Sequence, residues 1–263
     1  MKVPEGNNMI LTEMCTRQLF ATLAPLLAFS LQTCPNPLEP AQPLQHTTAE
    51  IWEDYCKDYE EKKDLQRVYL IPKDSLEELT EEELLGKATA GDAAAQCRLG
   101  RRLNLFGTRQ EWRMWLEKAA AQKNVDAQYN LGVILEKKGK TEGIEWLEKA
   151  AAQGDVDAKY KLGRVYYCGD HISQDHDRAL KYFRNLAERG DSHGQFHLGL
   201  MYYKGEGVPQ DFVVAHSWIN LAASRAADNE GARARSLRDL LATEMTKDQI
   251  AEAQNLAREW KPQ

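Results

Sequence analysis

Residues 154–163 read GDVDAKYKLG, and residues 190–199 read GDSHGQFHLG. The two stretches start 36 residues apart and end on the same Leu-Gly dipeptide. Working outward, Leu-Gly recurs at Leu99-Gly100 and Leu131-Gly132, ahead of Leu162-Gly163 and Leu198-Gly199, at spacings of 32, 31 and 36. A small residue lies four before each Leu, at Ala95, Ala127, Ala158 and Gly194. An aromatic column runs Trp115, Trp146, Tyr182, Trp218, and eight residues further on stand Lys123, Gly154, Gly190 and Ala226. Columns that stay in phase over this distance mark an internal repeat, which decides the architecture before any single element does. Four units follow, about 91–122, 123–153, 154–189 and 190–225, so the repeats span residues 91–225.

Within a unit the apolar steps are helical. Ala158, Leu162 and Tyr166, then Ala179, Tyr182 and Leu186, recur every three or four residues and share a face. The small residues let two helices approach closely, and the aromatic column reads as core packing between units. The third and fourth units carry longer loops, Cys168–Asp175 and Gly205–Asp211, and Asp211 is placed to cap the next helix. A helix pair this short cannot bury its own apolar stripe and must stack on its neighbours.

Capping helices bracket the array. Thr80-Glu-Glu-Glu83 is a capping box that opens a helix over 81–90, and residues 48–67 read as an earlier helix with Ile51, Tyr55 and Tyr59 on one side. At the other end 230–245 is helical, and Thr246 to Gln249 is a second capping box opening a last helix through Trp260. The domain plan is then an acidic N-terminal cap at 46–90, the repeats, and a C-terminal cap at 226–263.

Charge is unevenly placed. The 263-residue chain carries net −6, which argues against a general nucleic-acid binder, and its 43% hydrophobic and 28% charged residues exclude both a wholly disordered chain and a multi-span membrane protein. Residues 39–85 hold 14 acidic and 5 basic side chains, a local −9, whereas 86–263 hold 24 acidic and 27 basic, a local +3.

The N-terminal 45 residues have a different character. Leu19 to Leu31 is a 13-residue uncharged apolar run, preceded by Arg17 and followed by Cys34. That is the order of a secretory signal, and Leu31-Gln32-Thr33-Cys34 resembles a bacterial lipobox, with Gln32 and Thr33 bulkier than the usual small residues. The expectation is a signal peptide at 1–33, with translation from Met1 or from Met14, and a mature chain lipidated on Cys34. Residues 34–45 contain four of the nine prolines, an extended tether that would hold the folded body off a membrane.

The repeat frame, the Gly205 loop and residues 146–154, WLEKAAAQG, resemble Sel1-like repeats, 36-residue relatives of tetratricopeptide repeats. The resemblance covers about residues 76–226. It implies an all-α, right-handed superhelical solenoid of helix-turn-helix repeats with capping helices at both ends. The first two units depart in loop length, and Arg225-Ala226 stands where the family prefers Gln-Gly, which leaves the curvature open.

Groups that could carry chemistry are sparse. His193 and His197 are i, i+4 on a helix but have no third metal ligand at a fitting spacing, and Gly205-Glu-Gly207 lacks the strand and third glycine of a dinucleotide loop. Glu77 to Glu83 reads as solvated helix surface. With Cys15 in the signal and Cys34 lipidated, Cys56, Cys97 and Cys168 remain; a Cys56–Cys97 bridge and free thiols are both open. No catalysis, no cofactor and no metal are expected.

One pattern is not explained by the core. Just before each Leu-Gly stand Arg98, Asn130, Lys161 and His197, and just after it Arg101, Val133, Arg164 and Leu200. The resemblance places the first helix of each pair on the concave face, where partners meet variable positions. Arg98, Arg101, Arg102, Lys159, Lys161 and Arg164, with His197, would form a basic strip, either an ordinary solvated face or a docking strip for an acidic partner segment. The family resemblance further implies a protein partner. Periplasmic lipoproteins of this kind include immunity proteins against phospholipase effectors of the type VI secretion system, and scaffolding or regulation of cell-envelope enzymes is the competing reading. The expected location is the periplasm, at a membrane only through the lipid anchor.

Overall fold

Thr80 opens the described fold with the capping box expected of it: its side chain accepts from the Glu83 amide at 3.2 Å, and Glu83 Oε2 accepts from the Thr80 amide at 2.8 Å. That bond to the backbone, then the one to the Thr80 hydroxyl, holds the Glu83 carboxyl below the usual carboxylate range. The computed structural model describes residues 79–105, 111–169, 171–225 and 229–263. The chain divides into two units, Met1–Gln45 and His46–Gln263, and all described residues fall in the second. The apolar run, Cys34, the tether, the 48–67 helix and Cys56 lie outside the described residues.

Among the described residues the fold is all-α. Its helices are α1 (Glu81–Thr89), α2 (Ala93–Leu105), α3 (Glu111–Ala121), α4 (Val125–Lys137), α5 (Glu142–Ala152), α6 (Val156–Cys168), α7 (His176–Glu188), α8 (Ser192–Lys204), α9 (Phe212–Arg225), α10 (Asn229–Thr243) and α11 (Lys247–Glu259). Each packs chiefly on the helices next to it in sequence, except at the end, where α9 meets both α10 and α11. This nearest-neighbour order is that of a solenoid. None of the described helices is long and apolar enough to cross a membrane.

The same side-chain device starts each first helix. Asp92, Asn124, Asp155 and Asp191 accept from the amides of Ala95, Ala127, Ala158 and Gly194 at 2.7–2.8 Å, satisfying a donor the helix leaves orphaned. The preceding turn needs a left-handed residue. Gly91, Gly154 and Gly190 supply it, and at the second unit Lys123 adopts φ +62 in their place.

The Leu-Gly column sets how closely the two helices of a pair approach. A Cβ on Gly100, Gly132, Gly163 or Gly199 would come within 2.6–2.7 Å of Leu116, Leu147, Phe183 or Ile219 respectively. Those four facing residues are fully buried. They sit one position after the aromatic column, which is itself displaced from the core expected of it: only Trp115 is buried, and Trp146, Tyr182 and Trp218 are half-buried. The helix face turns about 100° between neighbours, so the residue beside the aromatic takes the centre and the aromatic rides the rim. There Lys149 Nζ lies 3.8 Å from the Trp146 ring centre, Tyr182 stacks on Tyr166 at 6.1 Å, and Trp218 meets Trp260 edge-on at 6.0 Å.

The longer loops are fastened rather than loose. Asp175 N donates to Tyr166 O at 2.8 Å and Gln174 Nε2 to Tyr167 O at 2.7 Å. One unit later Asp211 N donates to Tyr202 O at 3.0 Å and Gln210 Nε2 to Tyr203 O at 2.8 Å. Asp211 also caps α9 as expected, accepting from Val214 N at 3.0 Å. The second capping box closes the array, with Thr246 and Gln249 bonding reciprocally at the start of α11.

Candidate functional site

The first helices α2, α4, α6 and α8 carry nearly all the buried polar side chains of the described residues. Part of this is an amide clamp between units. Gln122 Nε2 reaches from the end of α3 to Gly91 O at 3.0 Å and Gln96 Oε1 at 2.9 Å, while Gln96 Nε2 donates to Ala88 O at 2.9 Å. Gln153 Nε2 donates to Gln128 Oε1 at 2.7 Å, and Gln128 Nε2 to Ala120 O at 3.1 Å. Gln195 Nε2 donates to Ala187 O at 3.3 Å, and Arg225 takes the reaching role, Nη1 to Gly190 O at 3.0 Å. The third unit breaks the series with Lys159 and Arg189 at the two Gln positions. Burial, then the nearby Arg189 charge, pulls the Lys159 ammonium below its ordinary range, and Lys159 Nζ turns to Asn185 Oδ1 at 2.8 Å. The clamp was missed in the sequence, although glutamine directly after the small residue at 96, 128 and 195 was its signal.

The candidate strip lies on the same helices but is not a solvated face. Arg98, Arg101, Lys161 and Arg164 are only 5%, 9%, 4% and 5% exposed, and His197 only 1%. Arg102 and Lys159 are half-buried. The reading of an ordinary solvated helix face therefore gives way: the columns flanking Leu-Gly are enclosed, not free in water. None of Arg98, Arg101, Lys161, Arg164 and His197 is without a partner. Lys161 Nζ meets Glu136 Oε2 at 3.3 Å, and Arg164 Nη2 lies 3.9 Å from Cys168 Sγ. Burying a cation is costly unless opposite charge and hydrogen bonds answer it, and for Lys161 the Glu136 carboxylate supplies that charge within the fold.

His197 belongs to an aromatic cluster. Its ring stacks on Phe183 at 4.4 Å, its Nε2 meets the Tyr160 hydroxyl at 2.9 Å, and Tyr160 also lies 5.5 Å from the His193 ring. Burial, then the Arg164 charge, pushes the His197 imidazole well below its usual range, so it is neutral at pH 7. Among the described residues no group of three or more His, Cys, Asp or Glu is placed to hold a metal ion. Cys97 is buried, with Asn130 Nδ2 3.9 Å from its sulfur, and Cys168 is half-buried.

On the rim between α5 and α7, Tyr166 donates to Glu148 Oε1 at 2.9 Å and accepts from Arg178 Nη1 at 3.0 Å. Burial first, then Glu148, pushes the neighbouring Tyr182 phenol up to about 12. These groups answer one another and fasten adjacent units. Likewise Glu206, between the glycines of the Gly205 loop, accepts from Tyr167, so that loop serves packing.

Known proteins agree with this geometry. Residues 192–226 match the model of the Sel1 repeat, and residues 103–196 match that of plant tetratrico peptide repeats. A solved structure titled as a protective antigen of uropathogenic Escherichia coli strains displaying an SLR fold is 29% identical, with TM-score 0.59 over 75% of this chain. This chain spans only 43% of that one's length. A Sel1 repeat protein from Oxalobacter formigenes is 24% identical, with TM-score 0.51, covering 82% of this chain and 86% of its own, a likeness of fold alone. No curated protein matches the chain. The chain is thus an all-α solenoid, similar to Sel1 and tetratricopeptide repeat proteins. Folds of this class are generally non-catalytic scaffolds for protein–protein interaction.

Proposed function

We propose that this protein binds another protein through the first-helix face of α2–α8, and that it is a periplasmic lipoprotein anchored through Cys34. The observation that carries the reading is the contrast between columns. The core positions hold constant types from unit to unit, whereas the flanking positions change from Arg98 to Asn130 to Lys161 to His197 on one face. On that face Arg102 on α2 and Lys159 on α6 keep partial exposure and suit carboxylates of an acidic partner segment, whereas Arg98, Arg101, Lys161 and Arg164 are enclosed beside them. The partner we favour is a phospholipase-like effector of the type VI secretion system, held inactive by stoichiometric binding. A lipid anchor at Cys34 followed by a tether and a folded body is the order a membrane-held antidote needs.

The test is co-expression with a lipase-like gene from the same locus, exported to the periplasm. Growth rescued by this protein, with a stable complex on gel filtration, supports the reading. Persistent toxicity without a complex ends it, and association with an endogenous envelope enzyme in the absence of a toxin gene would place the protein among scaffolds instead. For the anchor, Cys34→Ala should move the protein out of the membrane fraction; unchanged fractionation would reject lipidation there.

A further inference from the structure

We infer that Lys159 and Arg189, where α6 begins and α7 ends, form a recognition site for a carboxylate side chain of an acidic protein segment. The inference deepens the reading above, and rests on it only in taking the bound molecule to be a protein. Three observations carry it.

The first is the comparison with the other units. At the two clamp positions stand Gln96 with Gln122, Gln128 with Gln153, and Gln195 with Arg225, so the third unit alone holds a cation at both. Arg225 is answered inside the fold, by Gly190 O at 3.0 Å and by the Trp260 ring, whose centre lies 4.5 Å from its guanidinium carbon. Arg189 is exposed and has no ion pair among the described residues. Two like charges therefore stand together without a counter-charge. Burial, then the Arg189 charge, holds the Lys159 ammonium below its ordinary range, and an arriving anion would relieve it.

The second is the set of donors. Lys159 Nζ gives one N–H to Asn185 Oδ1 at 2.8 Å, which leaves two on the ammonium and the Nδ2 amide of Asn185 to donate elsewhere. The planar fork of Arg189 adds a bidentate partner for a carboxylate. The third is room. A cleft of about 480 Å³ opens beside Lys159 and Asn185, walled by Leu180 and Tyr182, with Lys181 and Arg184 also lining it. Asp177 and Glu188 line it too, so that with Arg189 the place carries four cations against two carboxylates, in a chain of net −6. Apolar walls with a few polar groups suit the methylene stem of a glutamate and the residue beside it, which free phosphate lacks.

The test uses the full-length chain, 15N-labelled, and as probe the peptide acetyl-Leu-Glu-Leu-Glu-amide. Its titration should shift the amide signals of Lys159, Asn185 and Arg189 saturably, and acetyl-Leu-Gln-Leu-Gln-amide should not. Lys159→Gln with Arg189→Gln should weaken the acidic peptide at least tenfold while the melting temperature stays level or rises, because the clamp is restored. Damage to the fold cannot give lost binding with undiminished stability. Lys140→Gln with Lys247→Gln removes the same charge from exposed positions elsewhere and should change affinity less than twofold. Equal affinity in the Lys159 and Arg189 variant overturns the inference, as does an equal loss in the control variant, which would reduce the effect to net charge. Inorganic phosphate binding as tightly as the peptide would make this a site for free anions and reject the protein segment. Tighter binding to phosphatidylglycerol vesicles, lost in the variant, would make a membrane surface the occupant and reject it likewise. The effector complex separates the two readings. A complex unchanged by Lys159→Gln with Arg189→Gln overturns the inference and leaves the docking reading, whereas pair-dependent peptide binding with no complex removes the effector and leaves the inference.

Discussion

The α4–α5 and α6–α7 pairs build the same unit by different means. In α4–α5 two backbones do the work: a Cβ on Gly132 would meet Leu147 Cγ at 2.7 Å and Gly143 O at 2.9 Å, and one on Gly143 would meet Gly132 O at 2.6 Å. The connection is short, and Gln153 and Gln128 lock the pair to the preceding unit. In α6–α7 a side chain does the work. Gly163 faces the Phe183 ring, the longer loop is tied back to Tyr166 and Tyr167, and the amide clamp is replaced by two cations. The lesson is that a repeat conserves the distance between its helices and not the atoms that set it.

The difference can be broken most severely at the facing residue. Phe183→Ala should cost about 3–5 kcal/mol, and Leu147→Ala about 2–5 kcal/mol, read by chemical denaturation. Phe183 also stacks on His197 of the next unit, so its loss should uncouple α6–α7 from α8–α9 and give a second transition, which Leu147→Ala should not. Filling the close approach comes next. Gly132→Ala should destabilise by about 1–3 kcal/mol because a rigid carbonyl stands behind the leucine. Gly163→Ala should cost less, since the Phe183 ring can tilt; equal costs would show that the two pairs are not built differently.

Acid sharpens the comparison from the α6–α8 side. His197 is held neutral in the fold with its pKa depressed, so the unfolded chain takes up a proton that the folded chain refuses. Stability is therefore intact above about pH 6.5 and falls below it, by up to about 1.4 kcal/mol per pH unit. His216, also depressed by burial, adds in the same direction. Melting temperatures at pH 7.5 and 5.5 should differ in the native chain and differ less in His197→Phe, which keeps the stacking; an unchanged difference would remove His197 from the account. Smaller still, Lys159→Gln with Arg189→Gln should restore the clamp and add about 1 kcal/mol, with the two single variants falling short of their sum. Last, Lys123→Gly should add about 0.4–1 kcal/mol by relieving the φ +62 conformation that glycine takes in the equivalent turns. Both gains are read from denaturant midpoints.

Much of this was legible. The Leu-Gly column, both capping boxes and the Asp211 cap follow from residue types whose local preferences do not depend on neighbours. What was not legible depended on which face of each helix meets its neighbour. The aromatic column looked like core because aromatics usually are, yet Leu116, Leu147, Phe183 and Ile219, one position on, face the glycines and take the centre. The candidate strip was legible as a set of residues, since 98, 101, 161 and 164 do share the first-helix row, but its enclosure was not. Long cationic side chains read as solvent-facing in any one helix, and only the stacked array shows how little of them water reaches.

The replaced clamp at Lys159 and Arg189 has a consequence for a protein pulled from its ends. A one-dimensional array drawn from its two ends parts at its weakest link. The junction where two like charges stand in for paired amides lacks a tie between units that the others keep. Stretched in an optical trap, the array should yield there first and pay out its length in steps, with the outer units still folded: a mechanical fuse set by two side chains.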